Sequence, residues 1–245
     1  MTSASRIQIY PDNTGLVTGT ADFIADEAVR SITERGRFTI ALAGGNTPRP
    51  VYERLATPEY AGRIDWTRVY VYFGDERCVP PEDLRSNYQM ALAALCAHVP
   101  IPPDNIFRML GEGTPDQAAL SYESQLRANL AGDGFDLVLL GMGDNGHTAS
   151  IFPGLAAVTE TARWVLAQYV EVMGMWRVTL TPIAINSART IVFLASGAGK
   201  AEMLQRVLQG PYEPVVLPSQ IIRPTYGKLH WLVDQAAAAQ LQPMT

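Results

Sequence analysis

Two rhythms of apolar residues run along this chain of 245 residues. The first is the short uninterrupted run. Residues 137–140 are wholly apolar, and residues 38–43, 69–73, 190–195 and 229–233 nearly so. Runs of this length, bounded by glycine or polar turns, predict strands buried on both faces, as in a parallel sheet. Residues 6–10 alternate and predict one more strand; residues 106–110, 165–172 and 177–180 also read as extended. The second rhythm is helical. Phe23, Ile24, Ala28 and Ile32 fall on one face of a helix over residues 20–35, with Gly36 as its stop. A helix is predicted from an Asn46 or Thr47 cap, with Pro48 in its first turn, to about Ala56. Others are predicted over 87–97 behind a Ser86 cap, over 115–130, as one turn over 182–186, and from Lys200 to Gly210. Strands alternating with helices predict an α/β fold with a mostly parallel sheet and helices on both faces. No repeat, low-complexity tract or linker-like shift in composition divides the chain, so residues 1–245 read as a single domain.

Composition narrows the function classes. The chain has 47% hydrophobic and 18% charged residues and a net charge of −5, with no basic block, which argues against a nucleic-acid surface. No apolar run reaches the length of a membrane span, and residues 1–6 lack a signal peptide's apolar core; the expected location is cytoplasmic. Cys78 and Cys96 form neither a disulfide framework nor a C-x-x-C motif. His98, His147 and His230 lie far apart in the sequence and form no metal-ligand motif together, so no metal is expected.

Chemistry concentrates where strands end. The run at 137–140 opens into Gly141-Met142-Gly143-Asp144-Asn145-Gly146-His147. The glycines permit a sharp turn with N–H groups presented to a ligand, and an imidazole follows at once. Gly141, Gly143 and Gly146 fit the dinucleotide fingerprint by letter, but Pro153 forbids the long helix that it requires. Glu160 lies in no strand-like run, and Glu171 is too far on for the acidic partner. Three further strand ends carry polar loops: Gly44-Gly45-Asn46-Thr47-Pro48, residues 74–80 with Asp75 and Arg77, and residues 196–200 with Lys200. In a parallel sheet these ends share one edge and can converge with His147 on one crevice. Two lead into helix N-termini, and Arg77 and Lys200 add charge, which suits a small phosphorylated molecule. Each loop alone has a plainer reading: a capped turn, a solvated lysine, a surface ion pair of Arg77 with Asp75 or Glu76. Lys200 is not part of a nucleotide P-loop, because Leu194 stands where that motif needs glycine. No Gly-x-Ser-x-Gly elbow supports a serine hydrolase. Cys78 beside Arg77 is read as a passive loop residue.

In this order the motifs resemble the 6-phosphogluconolactonase family over almost the whole chain. The resemblance rests on residues 44–48, on Gly74-Asp75-Glu76-Arg77-x-Val79-Pro80 with Ser86-Asn87-Tyr88, and on Gly141-x-Gly143-x-x-Gly146-His147-Thr148-Ala149-Ser150-x-Phe152-Pro153. It continues through residues 177–181, residues 199–201 and Trp231-x-x-Asp234. It implies a modified doubly wound, Rossmann-like fold and hydrolysis of 6-phospho-D-glucono-1,5-lactone to 6-phosphogluconate in the pentose phosphate pathway, without metal or organic cofactor. It makes His147 the general base and places Arg77 and Lys200 in the substrate pocket as cations. Gly44, Gly45, Asn46, Thr47, Asp75, Gly146 and Arg177 join them as substrate-binding positions, with Arg77 also a candidate for stabilising charge. Its partner is a small sugar-phosphate lactone. Two departures stand out: Asn145 where the family usually has aspartate, and Asn46 where it often has serine. Asn145 is expected mainly to shape the turn, with Asp144 or Asp75 supplying charge for His147. The rival is the related glucosamine-6-phosphate deaminase/isomerase group, whose Asn-Glu-Pro-Gly segment reads Ile151-Phe152-Pro153-Gly154 here. A non-catalytic sugar-phosphate-binding protein is the third reading.

Overall fold

The computed structural model describes residues 5–130 and 132–243. Six parallel strands form the main sheet in the order β1-β9-β8-β5-β2-β3. They are β1 (Arg6–Tyr10), β2 (Phe38–Leu42), β3 (Val69–Phe73), β5 (Leu137–Gly141), β8 (Thr190–Ala195) and β9 (Lys228–Asp234). Side chains alternate between two cores. Leu137 and Leu139 of β5 join one core; Val138 and Leu140 join the other. The first core is covered by α1 (Asn13–Arg35), α2 (Arg49–Leu55), α3 (Pro58–Ala61) and α4 (Asn87–Ala91), the last continuing as a π turn over Leu92–Cys96. The second is covered by α5 (Pro115–Leu130), α6 (Pro182–Asn186) and α7 (Ala201–Gln209). Helices on both faces explain why the strands read as continuous apolar runs.

Helix α1 begins seven residues before the helical spacing suggested. Asp12 caps it, accepting from the Gly15 N–H at 2.7 Å, and Gly36 closes it in the left-handed region with φ 78°. Gly15 and Gly19 hid this first stretch, because glycine weakens a helical pattern. At Gly19 the glycine serves packing: a Cβ there would lie 2.2 Å from the Tyr10 ring. Residues 106–110 do not make the expected strand. Only a parallel bridge between Ile106 and Val71 forms, with the Phe107 N–H donating to the Val71 carbonyl at 2.8 Å. That short patch covers the outer edge of β3 and then departs.

A second sheet departs from the predicted pattern. The loop after β3 contains a strand of its own, β4 (Asp75–Arg77). It pairs antiparallel with β7 (Met175–Leu180), which pairs with β6 (Val165–Val170). The chain thus leaves the main sheet at Gly74 and enters a three-stranded one in order β4-β7-β6. Val165, Val178 and Leu180 seat this sheet on the core that holds α5.

Candidate active site

Neighbours β5 and β2 lie where the winding of the sheet reverses: from β2 the chain moves to β3 on one side, and from β5 to β8 on the other. Such a switch point opens a crevice beyond the carboxyl ends of the strands. The crevice here has a volume of about 380 Å³, within the range for a small-molecule site. The loop 44–48, Gly74, Asp75, Arg77, the start of the glycine turn, His147, Arg177 and Lys200 all face it. The convergence expected of the strand ends is therefore present.

The second sheet supplies the charge. Arg77 lies directly opposite Arg177 in the β4–β7 ladder, and Asp75 opposite Thr179, so alternate residues of both strands turn toward the crevice. Like charges placed directly opposite repel each other, which suits a site that awaits an anion. Arg177 and Asp75 are each 6% exposed. The Asp75 Oδ2 accepts from the Arg177 Nη1 at 3.3 Å and from the Ser150 hydroxyl at 2.6 Å, while the Asn87 Nδ2 donates to Oδ1 at 3.1 Å. Arg77 has no carboxylate partner among the described residues; its Nη1 donates to the Arg85 carbonyl. The surface ion pair considered for Arg77 does not form. Glu76 points the other way and is buried, accepting from the Ser86 hydroxyl and from the N–H groups of Asn87 and Tyr88. Burial raises its pKa above the ordinary value, against these hydrogen bonds. It fastens β4 to the start of α4 and so holds Asn87 against Asp75.

His147 is clamped. The Asn145 Oδ1 accepts from its backbone N–H at 3.2 Å and meets its ring Nδ1 at 2.6 Å. A backbone N–H can only donate, so this side-chain atom is an acceptor and Nδ1 carries the proton. The Nε2 lone pair is left for chemistry. One ring face stacks on Phe152, with centroids 4.0 Å apart and planes at 15°. Burial is the largest influence on the imidazole and pushes its pKa down to about 4, against the attraction of Asp75. The ring is neutral at pH 7.

Three sequence expectations change. First, Asn145 does more than shape the turn: it holds the imidazole directly, and Asp144, with its side chain 86% exposed, pairs with Lys200 instead. Second, two of the amides in the glycine turn are closed within the turn and are not offered to a ligand. The Gly143 N–H donates to the His147 carbonyl at 2.8 Å, and the Gly146 N–H to the Gly143 carbonyl at 3.0 Å. Third, Gly146 faces away from the crevice. Its carbonyl accepts from the Ser219 N–H and hydroxyl, and a Cβ there would meet Leu217 at 2.8 Å. No helix opens at Gly146; a tight Thr148–Ile151 bridge follows, which removes the dinucleotide reading.

Asn87, Ser150 and Phe152 escaped the sequence reading as site residues, although each sits inside a motif quoted for the resemblance. Their roles depend on partners 12, 75 and five residues away along the chain. The other histidines stay structural: His230 packs edge-on against Phe23 at 4.9 Å, and His98 contacts the Ala93 carbonyl at 2.9 Å. Burial raises the Cys78 thiol to about 11, so it is no nucleophile. Among the described residues no group of three or more His, Cys, Asp or Glu side chains is placed to hold a metal ion. No described helix is long and apolar enough to cross a membrane.

Residues 11–231 match the family described as glucosamine-6-phosphate isomerases/6-phosphogluconolactonase. The chain belongs to this family. Among its curated members, the 6-phosphogluconolactonase of Nostoc sp. is 38% identical over 241 residues, covering 96% of this chain and 98% of its own. The solved 6-phosphogluconolactonase of Trypanosoma brucei superposes with a TM-score of 0.87 at 31% identity, over 98% of this chain and all of the other. The family's second branch has the same fold. A monomeric glucosamine-6-phosphate deaminase aligns with a TM-score of 0.82 at 22% identity, over 96% of this chain and all of its own, a likeness that speaks for fold alone. Within the family, then, the decision between lactone hydrolysis and deamination lies in the side chains of the crevice.

Proposed function

We propose that this crevice hydrolyses 6-phospho-D-glucono-1,5-lactone to 6-phospho-D-gluconate, in the oxidative branch of the pentose phosphate pathway, with His147 as the base. The observation that carries the mechanism is the neutral imidazole with Nδ1 tied to Asn145 and Nε2 free, set among three cations and the open 44–47 loop. A water held at Nε2 gives up a proton as its oxygen bonds to C1. The carbonyl π pair moves onto oxygen, and the negative charge falls near the guanidiniums. With the Gly143 and Gly146 amides committed within the turn, Arg77 is the group assigned to this oxyanion, and Arg177 lends positive potential beside it. The tetrahedral species collapses as the bond from C1 to the ring oxygen breaks, and the imidazolium returns its proton to that oxygen. The phosphate is assigned to Lys200, which Asp144 steadies, and to the N–H groups of residues 44–47, which donate to no protein acceptor among the described residues. Anchoring the phosphate orients the lactone over His147.

Deamination, the rival reading, uses a carboxylate where Phe152 stands. Phe152 instead stacks on the imidazole, and residues 151–154 carry no acid. The direct test supplies freshly made 6-phosphogluconolactone and records acid release. Release well above the spontaneous rate is expected, with no ammonia from glucosamine 6-phosphate; the reverse pattern would overturn the proposal.

Asn145→Asp tests the clamp's polar side. Both side chains offer Nδ1 an acceptor, so the imidazole keeps its tautomer, and kcat near neutral pH is expected to change by less than about tenfold, about 1.4 kcal/mol of barrier. The new carboxylate favours the imidazolium, so the pKa of His147 rises. Activity needs the neutral ring, so the acid limb of the kcat/KM profile moves from about 4 to higher pH. A profile unmoved by the substitution would show that this side chain does not face the working base.

A further inference from the structure

The aromatic plate behind His147 has no part in the chemistry described above, yet it stacks on the ring with centroids 4.0 Å apart. Phe152 is 3% exposed, and its ring lies almost parallel to the imidazole. It is held there by the tight Thr148–Ile151 bridge before it and by Pro153 after it. Ala149, within the same turn, has φ 46°, a conformation that costs a non-glycine residue about 1–3 kcal/mol and persists only where the surroundings enforce it. Along the Nδ1–Cε1 side the ring meets Gly143, where a Cβ would come within 2.0 Å of both atoms. Asn145 occupies Nδ1 itself. The imidazole is therefore bounded on three sides, and its Nε2 side is the one left toward the crevice.

We propose that Phe152 is a positioning residue for lactone hydrolysis, the plate that keeps the His147 imidazole in register with C1 and shields it from water. The proposal rests on His147 being the base. The charged groups around the ring act in both directions: Asp75 and Asp144 favour the imidazolium, while Arg177 and Lys200 oppose it. Those four nearly balance in sign, which leaves exclusion of water as the main support of the neutral form, and Phe152 supplies the apolar surface in contact. Arg177 also lies near the plate, its guanidinium carbon 5.8 Å from the Phe152 centroid, so one ring steadies both the base and a crevice cation.

The test separates position from fold. Phe152→Leu and Phe152→Met keep apolar volume but lose the flat face; Phe152→Tyr keeps the face. The aliphatic variants are expected to lose ten- to a hundredfold in kcat, the scale of a reacting group misplaced by about 1 Å. Their KM should change by less than about threefold, because phosphate binding lies elsewhere. Their acid limb should move up from about 4, because water reaching the ring stabilises the imidazolium. Phe152→Tyr should keep both the rate and the limb. Proton NMR of the wild type adds a measure independent of turnover: with only three histidines in the chain, the His147 ring protons can be assigned, and stacking should shift them upfield. Should both aliphatic variants fail to fold, this spectrum decides. Aliphatic variants with wild-type kcat and limb, or His147 protons without the upfield shift, would overturn the proposal. An active His147→Ala with the upfield shift intact in the wild type would instead remove the base and leave the stack standing.

Discussion

His147→Ala is expected to lower kcat by about 10²–10⁴ while leaving the protein folded, the usual worth of a positioned general base. The imidazole sits at the crevice rim of the glycine turn and is only partly buried, so its loss opens space toward solvent and leaves no cavity in either core. The turn itself is closed by backbone bonds from Gly143 and Gly146 that need no imidazole. KM should move little, because the groups assigned to phosphate are untouched. The residual rate should also lose the acid limb near pH 4, since the group that titrates there is gone. A folded His147→Ala with near-wild-type turnover would remove this residue from the mechanism.

Arg177→Leu is expected to cost about 3 kcal/mol of stability, and activity with it. Removing one partner of a buried ion pair leaves the other charge uncompensated, at a cost of about 3–5 kcal/mol. Asp75 keeps the Ser150 hydroxyl and the Asn87 amide as donors, which places the expected loss at the lower end. In a chain of this size that corresponds to a fall in Tm of roughly 6–12 °C. Asp75→Asn combined with Arg177→Leu should regain most of the stability, because the stranded charge is gone, but not the activity, because the crevice still lacks its cation. An Arg177→Leu protein melting within a degree of wild type would show that the pair contributes nothing to the fold.

Much of this architecture was legible from local pattern. The buried runs at 38–43, 69–73, 137–140 and 190–195 become neighbouring strands, because a strand covered on both faces has no polar side to show. Ser86 caps its helix as expected, its hydroxyl accepting from Gln89 at 3.1 Å, since a cap is settled within four residues. His147, Arg77, Lys200 and the 44–47 loop meet at one crevice because parallel strands end on one edge. Where a boundary was missed, as at the start of α1, the cause was a glycine that serves a distant ring rather than its own helix.

The sequence by itself determined the strand–helix alternation, the family, the crevice edge and the place of His147 on it, because each rests on short-range periodicity or on residues adjacent in the chain. Only the tertiary structure decided that β4, β6 and β7 leave the parallel sheet to form an antiparallel one that sets Arg177 beside Arg77 and Asp75, pairings of about a hundred residues' separation that no local pattern encodes. It decided, too, what the glycines do: Gly143 clears room for the imidazole, and Gly146 packs on Leu217. Asn145 supplies an oxygen to Nδ1. Each of these follows from which atoms come within contact distance once the chain is closed, a property of the packed molecule and not of any stretch of its sequence.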